Sequence, residues 1–257
     1  MNTTDTTAVR ERFEQARQGG LRAKEAAESL SLSEGAAIEA HAITHGPATT
    51  RLSATPLRPE WLALLKALGE CGPLMALTRN ESVVHEKTGV YEKLSGQGPV
   101  GLAVGADIDL RLFFDRWHAG YVVRERAANA ERSDGCSLQS FDRHGTAVHK
   151  IYTRETTSMP AWEAACAAFS QTTPAPVSFE PAAPRELPRP DAEIDAAGLA
   201  QAWSEMTDTH QFFGLLKRFA VERQQALRLM ENRFSRRVPD SSVTQLLEEA
   251  AVDGTPI

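Results

Sequence analysis

The chain has 257 residues, 42% hydrophobic and 24% charged, with a formal net charge of -6. This suits one large globular domain or two ordinary ones and excludes collagen, coiled coil and wholesale disorder. The acidic balance argues against a general polyanion binder but leaves room for a local basic patch.

No apolar run approaches the roughly eighteen residues of a membrane span, so none is expected. The N-terminal stretch MNTTDTTAVRER lacks the apolar core of a secretory signal. The cysteines, Cys71, Cys136 and Cys166, are odd in number and form no CxxC pair. That points to a reducing, cytoplasmic setting and away from a disulfide framework or structural zinc.

In chain order, residues 1–45 read as helices. Val9, Phe13 and Ala16 recur at helical spacing, then Leu30, Leu32, Ala37 and Ile38, with Ser33-Glu34-Gly35 as a turn or cap. A stronger helix is expected over 59–70, where Trp61, Leu64, Leu65 and Leu68 share a face and Gly72-Pro73 stops it. From Leu74 the pattern turns strand-like, over 82–85, 100–104, 108–114, 120–124, 137–141 and 147–153. The last two runs are joined by a hairpin turn at 142–145. Short strands with turns between them predict an antiparallel sheet. Residues 160–170 read as a helix with Trp162, Ala165, Cys166 and Phe169 on one face. Six prolines between 174 and 190 predict a stiff, solvated linker and a domain boundary. Helices are expected again over 199–206, 209–219, 223–230 and 242–251.

The chain also resembles itself. Residues 50–75 pair without gaps with 232–257: Trp61, Leu64, Leu65 and Leu68 fall opposite Val243, Leu246, Leu247 and Ala250. Upstream, Leu32, Ala37 and Ile38 fall opposite Val221, Ala226 and Leu227. The second copy stops where the strands of the first begin, so a complete helix-plus-sheet unit followed by only the helical lead-in of another is expected.

Several residues invite a chemical reading. Residues 96–101 match GxGxxG, but a strand follows where a dinucleotide site needs a helix, and Pro99 removes an amide, so the stretch reads as a loop. His41 and His45 are spaced for a metal on a helix but lack a third ligand and read as surface histidines near a helix end. His118, His144 and His149 read as ordinary surface or sheet positions. No Ser-His-Asp pattern or GxSxG motif supports hydrolysis. His210 follows the N-cap candidates Thr207-Asp208-Thr209 and precedes Phe212 and Phe213. A helix first turn keeps an imidazole neutral, so it could serve as a metal or haem ligand; a plain exposed histidine is the simpler alternative. Between 210 and 237 seven basic residues meet two acidic ones, a patch for carboxylates or phosphates or merely a solvated face. Arg111 shares a strand face with Phe113, opposite Leu110, Leu112 and Phe114.

Four blocks then combine: TRNESVVHEKTG at 78–89, DLRLFFDRW at 109–117, the SFDRHG turn at 140–145 and VHKIY at 148–152. Together with MTDTHQFFGLLKR at 206–218 and ERQQALRL at 222–229 they span nearly the whole chain. In this order they resemble the cytoplasmic haemin-degrading and haem-trafficking proteins of the HemS/ChuS/HmuS type. The resemblance implies an α+β fold built as a tandem repeat, each half a large antiparallel sheet with helices, and haem between the halves. Here it implies N-terminal helices plus a large antiparallel sheet at 1–170, a Pro-rich linker at 171–191 and the helical start of a truncated second repeat at 192–257.

It also implies site roles: His210 as the haem-iron ligand, Arg111 toward the opposite haem face and Arg223 near the propionates. His85 is a secondary haem contact or, alternatively, a packed sheet histidine. The implied function is haem uptake and iron acquisition, by oxidative haem breakdown with iron release. The alternative is a carrier delivering haem to a separate haem oxygenase. Haem (iron protoporphyrin IX) is the implied ligand, with an electron donor or a downstream oxygenase as partner. A homodimer through exposed helices is allowed, and neither membrane nor nucleic acid is expected as partner. A basic helical nucleic-acid binder is the remaining alternative; it leaves His210 and the paired phenylalanines unexplained.

Overall fold

A computed structural model describes residues 3–127, 133–182, 187–209 and 211–255. The chain divides into two units, Met1–Ala182 and Ala183–Ile257. The first opens with α1 (Thr3–Gln18), α2 (Ala23–Ser29) and α3 (Glu34–Ala40), followed by β1 (Leu52–Pro56) and α4 (Trp61–Leu68). Next come β2 (Leu74–Arg79), β3 (Val84–Gly89), β4 (Ser95–Gln97), β5 (Val100–Val104) and β6 (Asp109–Phe113). β7 (Ala119–Glu125), β8 (Gly135–Phe141), β9 (Ala147–Thr153) and α5 (Met159–Phe169) complete it.

The strands form an antiparallel six-stranded sheet, ordered β1-β7-β8-β9-β2-β3, and a three-stranded sheet, β4-β5-β6. Alternation gives the large sheet two apolar faces. Val122, Leu138, Ile151 and Ala76 line one, covered by α4, α5 and the inner side of the small sheet. Ala54, Tyr121 and Val123 line the other, where Phe13, Ala27 and Ile38 of the first three helices pack. The expected helix at 59–70 is α4, and its Trp61, Leu64, Leu65 and Leu68 are all buried. β1 escaped the sequence pattern. It is short and ends in Pro56, which an edge strand tolerates because its outer N–H side needs no partner.

Three expectations need correction. His41 is not a surface histidine: it is the buried C-cap of α3, its Nδ1 2.8 Å from the Ala37 carbonyl and its ring edge-on to Phe13. His149 holds a sheet position in β9, as one of its two readings had it, and is buried there, between the Tyr91 hydroxyl (2.7 Å) and Thr78 Oγ1 (3.2 Å) and stacked on Trp117. Residues 96–101 form the tight β4–β5 hairpin, with Gly98 at φ +58°, rather than a free loop. The stretch read as a linker is docked over its first part. Val177 and Phe179 pack on the helix-covered core, and Val177 N donates to Glu39 Oε1 at 3.0 Å.

The second unit contains α6 (Ala196–Ser204), α7 (Gln211–Arg218), α8 (Arg223–Leu229) and α9 (Ser242–Asp253). Its core joins Ile194, Leu199, Leu215, Leu216, Ala226 and Met230. Its first three helices repeat the pattern of α1–α3 at an offset of 189 positions. α3 and α8 coincide under that offset, and both begin at a side-chain N-cap, Ser33 and Glu222. Buried Ala26-Ala27 fall opposite buried Leu215-Leu216, and Ser31 (φ +58°) opposite Ala220 (φ +47°). α9 differs from α4: Val243, Leu246 and Leu247 are exposed where Trp61, Leu64 and Leu65 are buried.

Burial holds His41 and His149 neutral, pushing each down to about 4. In an unfolded chain histidine titrates near 6.5, so protonation favours unfolding. Their contribution to stability is present above about pH 6.5 and is lost as the pH falls toward about 4. The unfolding free energy from urea titration is expected to drop across that window, by at most about 3 kcal/mol per histidine. His149→Gln should flatten the slope; an unchanged pH profile would refute this account.

Candidate functional site

The small sheet is amphipathic in the way its sequence alternates. Ala103 and Leu112 point inward to the core, and Gly101 lies where a Cβ would stand 2.6 Å from the Phe114 ring. The outer face holds Val100, Leu102 and Val104 of β5 beside Phe113 and Arg111 of β6. Directly opposite residues share a face, and the register sets Leu102 against Arg111 and Val100 against Phe113. The four apolar side chains on this face are 37–50% exposed. From Val100 to Val104 this surface runs about 13 Å along the strand. It is a flat apolar plate carrying a guanidinium, whose planar fork of N–H donors suits an anionic or polarised atom on a flat ligand.

His85 lies on β3, an edge strand, opposite Thr78 of β2. Thr78 continues the row of Leu74 and Ala76, so His85 is on the side of the large sheet against which the small sheet packs. The His85 side chain is exposed. Thr78 in turn touches buried His149, which makes the row His85, Thr78, His149, Tyr91 polar from rim to core.

In the second unit Arg223 opens α8, exposed, with its guanidinium 5.9 Å from the centre of the Phe212 ring. Phe212 contacts Trp203 at 4.6 Å between centroids, and Trp203 stacks on Phe234 at 5.3 Å. Lys217 and Arg218 likewise sit over Phe213 and Phe219, a cation–π arrangement. Arg228 instead grips Asp191 through both amino groups, and that bonding holds the Asp191 carboxyl far below the usual carboxylate range. His210 lies outside the described residues. The residues before it form a tight turn into α7, with Gln211 N donating to Asp208 O and Phe212 N to Thr209 O, both at 3.1 Å.

Arg111 and His85 thus share the first unit but stand on different sheets, and Arg223 belongs to the second unit. Sequence reasoning found Arg111 and missed the plate around it, although the alternation in Val100-Gly-Leu-Ala-Val104 contained the signal. It also missed the Trp203–Phe212–Phe234 column, whose members lie too far apart in sequence to show a period. Among the described residues no group of three or more His, Cys, Asp or Glu is placed to hold a metal ion. No helix among them is long and apolar enough to cross a membrane.

Comparison with known proteins bears on the family and the fold. The family model described as the haemin-degrading HemS.ChuX domain matches residues 33–169. The hemin transport protein HemS of Yersinia enterocolitica is 41% identical over 195 residues, 76% of this chain and 55% of that protein. The hemin transport protein HmuS of Yersinia pestis is 39% identical over 202 residues, 78% of this chain and 57% of its own length. The chain therefore spans a little over half the length of these curated relatives. Among solved structures, holo-PhuS, a heme-binding protein from Pseudomonas aeruginosa, superposes with a TM-score of 0.85 at 36% identity, covering 98% of this chain and 70% of PhuS. The heme degrading enzyme ChuS of Escherichia coli O157:H7 gives 0.82 at 30% identity, with 97% and 70% covered. With its sheet-bearing unit matched by the family model and its fold shared with PhuS and ChuS, the chain belongs to the haemin-degrading HemS/ChuX family.

Proposed function

We propose that this chain binds haem as the cargo of haem uptake and iron acquisition, working in the cytoplasm, with His210 as the iron ligand. The observation that carries the reading is the outward apolar plate of the small sheet with Arg111 on it. A porphyrin is a flat apolar ring with anionic substituents and a polar iron centre, and the plate offers both an apolar bed and a rigid hydrogen-bond donor. Arg111 would donate a hydrogen bond to the bound haem, separately from the iron ligand. Arg223, fixed over Phe212, offsets the propionate carboxylates. His85, exposed at the rim, is a secondary contact. The cytoplasmic setting is supported by three free cysteines, whose thiols burial pushes up and so keeps unreactive.

The bound haem supplies the redox chemistry; the protein's part is to seat it, shield one face and hold donors at the other. Degradation with iron release is the family's reading, and the solved relatives include a heme degrading enzyme. The carrier reading is favoured by the curated relatives, both hemin transport proteins.

A haem titration followed at the Soret band tests the site. One-to-one saturation is expected, lost in His210→Ala and weakened about tenfold in Arg111→Ala. Arg223→Ala should weaken binding modestly and reduce its salt dependence. Binding indifferent to both His210 and Arg111 would overturn the proposal.

Enzyme and carrier are then separated with ascorbate as electron donor under air. Bleaching of the bound haem with iron release is the outcome expected of a degrading enzyme. Intact transfer to an apo-protein acceptor without bleaching would make the chain a carrier.

A further inference from the structure

The first unit holds a buried chain of rings that the proposed site does not use. Tyr91, His149 and Trp117 are only 2%, 4% and 6% exposed. The Tyr91 hydroxyl lies 2.7 Å from His149 Nε2, and Thr78 Oγ1 lies 3.2 Å from its Nδ1. The His149 ring stacks on Trp117, with 5.9 Å between centroids and 29° between planes. Trp117 in turn meets Phe114 edge-on at 5.4 Å. Phe114 directly follows β6, and its ring fills the space where Gly101 of β5 lacks a Cβ. The rings therefore run from the inner side of the small sheet, one sheet thickness from the plate, to Tyr91 in the core.

Burial sets the proton chemistry of the Tyr91–His149 pair. It keeps the imidazole neutral, pushing His149 down to about 4, and pushes the Tyr91 phenol far above its usual range. The neutral ring donates from Nδ1 to Thr78 and accepts from the Tyr91 hydroxyl at Nε2. Tyr91 thus does not ionise alone, but it can give up an electron when its proton passes to His149. The 2.7 Å separation suits that transfer, and the stacked indole stabilises the imidazolium that results. The other tyrosines do not share this setting. Tyr121 bonds Glu39 on the helix-covered side of the large sheet, and Tyr152, alternating with buried Ile151, faces that side too.

We propose that Trp117, His149 and Tyr91 form a radical relay that draws a one-electron oxidising equivalent from haem seated on the plate and holds it on Tyr91. The proposal rests on the reading of the plate as a haem site. The oxidant is a peroxide, whose reduction to two waters takes two electrons and two protons. One electron comes from the bound haem iron and the other from Trp117, and both protons come from solvent. Tyr91 then reduces Trp117 and passes its proton to His149 Nε2, leaving a neutral tyrosyl radical beside an imidazolium. A reductant such as ascorbate returns the electron, and His149 returns the proton.

The relay is tested first in the haem-free chain, oxidised by flash-generated ruthenium(III) tris-bipyridine and followed by electron paramagnetic resonance with ring-deuterated tyrosine. A tyrosyl signal is expected, lost in Tyr91→Phe and in Trp117→Phe and unchanged in Tyr121→Phe. His149→Gln keeps a hydrogen-bonding group but loses the base, so an indole radical should replace the tyrosyl one. Thermal midpoints confirm that each variant is folded. The haem complex treated with hydrogen peroxide should give the same tyrosyl signal. Tyr91→Phe should bind haem with unchanged affinity and bleach it faster under peroxide. A tyrosyl signal that persists in Tyr91→Phe, or that ignores His149→Gln, overturns the proposal. So does a haem complex that saturates at the Soret band yet forms no radical at Tyr91. Absence of haem saturation would overturn the plate reading instead, and the haem-free signal then decides whether the relay exists.

Discussion

A six-stranded sheet that is apolar on both faces cannot stand with either face in water, and the rest of the first unit is arranged around that constraint. Three helices close one side, while two helices and a second sheet close the other. Closing both sides buries polar groups that the strands also carry, and three of them are matched from the covering layer. Lys150 projects toward the first helices and is met by Glu34 of α3. The Tyr121 hydroxyl donates to Glu39 of the same helix at 2.7 Å, and Glu39 also bonds His45. On the other side His149 is met by Tyr91. Breaking a buried ion pair by removing one member typically costs about 3–5 kcal/mol. These contacts therefore fix which helix lies where, beyond what nonspecific apolar packing would do.

The small sheet inherits a consequence of the same arrangement. Its inner face is spent on covering the large sheet, so everything it can offer a ligand lies on its outer face. Three short strands with a buried inner side present an outer surface with little freedom to rearrange. An apolar outer surface on such a sheet is expensive to leave wetted, and its persistence around Arg111 is the physical ground for reading it as a binding plate. A guanidinium fixed on a rigid strand is also better placed to discriminate by geometry than one on a loop.

The sequence made much of this legible where the periodic signal was local. α4, the β8–β9 hairpin and the alternation of β6 could be read because their apolar residues recur within a few positions. What could not be read depended on distant partners. His41 looks like a surface histidine in isolation and His149 like a surface or sheet one, and only the packing of α1 and the Trp117 ring shows that they are buried. β1 is too short to show a period and is defined by its pairing with β7. Of the candidate site, the individual residues were recognisable from their blocks, but the plate around Arg111 required the register of β5 against β6.

The repeated helix trio separates what is scaffold from what is function. Under the 189-position offset the two copies keep the same buried pair in the second helix, the same left-handed turn residue and the same capped third helix, with almost no identity between them. The shared features are those that folding demands: small or apolar side chains between packed helices, a positive φ to reverse the chain, and an acceptor for free amides. The sites where the copies diverge in chemical kind are not explained that way. Under the same offset His210 stands opposite Leu21, and Phe212, which carries the Arg223 contact, opposite Ala23. One copy builds the trio with aliphatic residues at these positions, so the trio does not require an imidazole or an aromatic there. In the second copy the Phe212 ring packs on Trp203 and the core of its unit, so at that position the copies solve their packing with different residues.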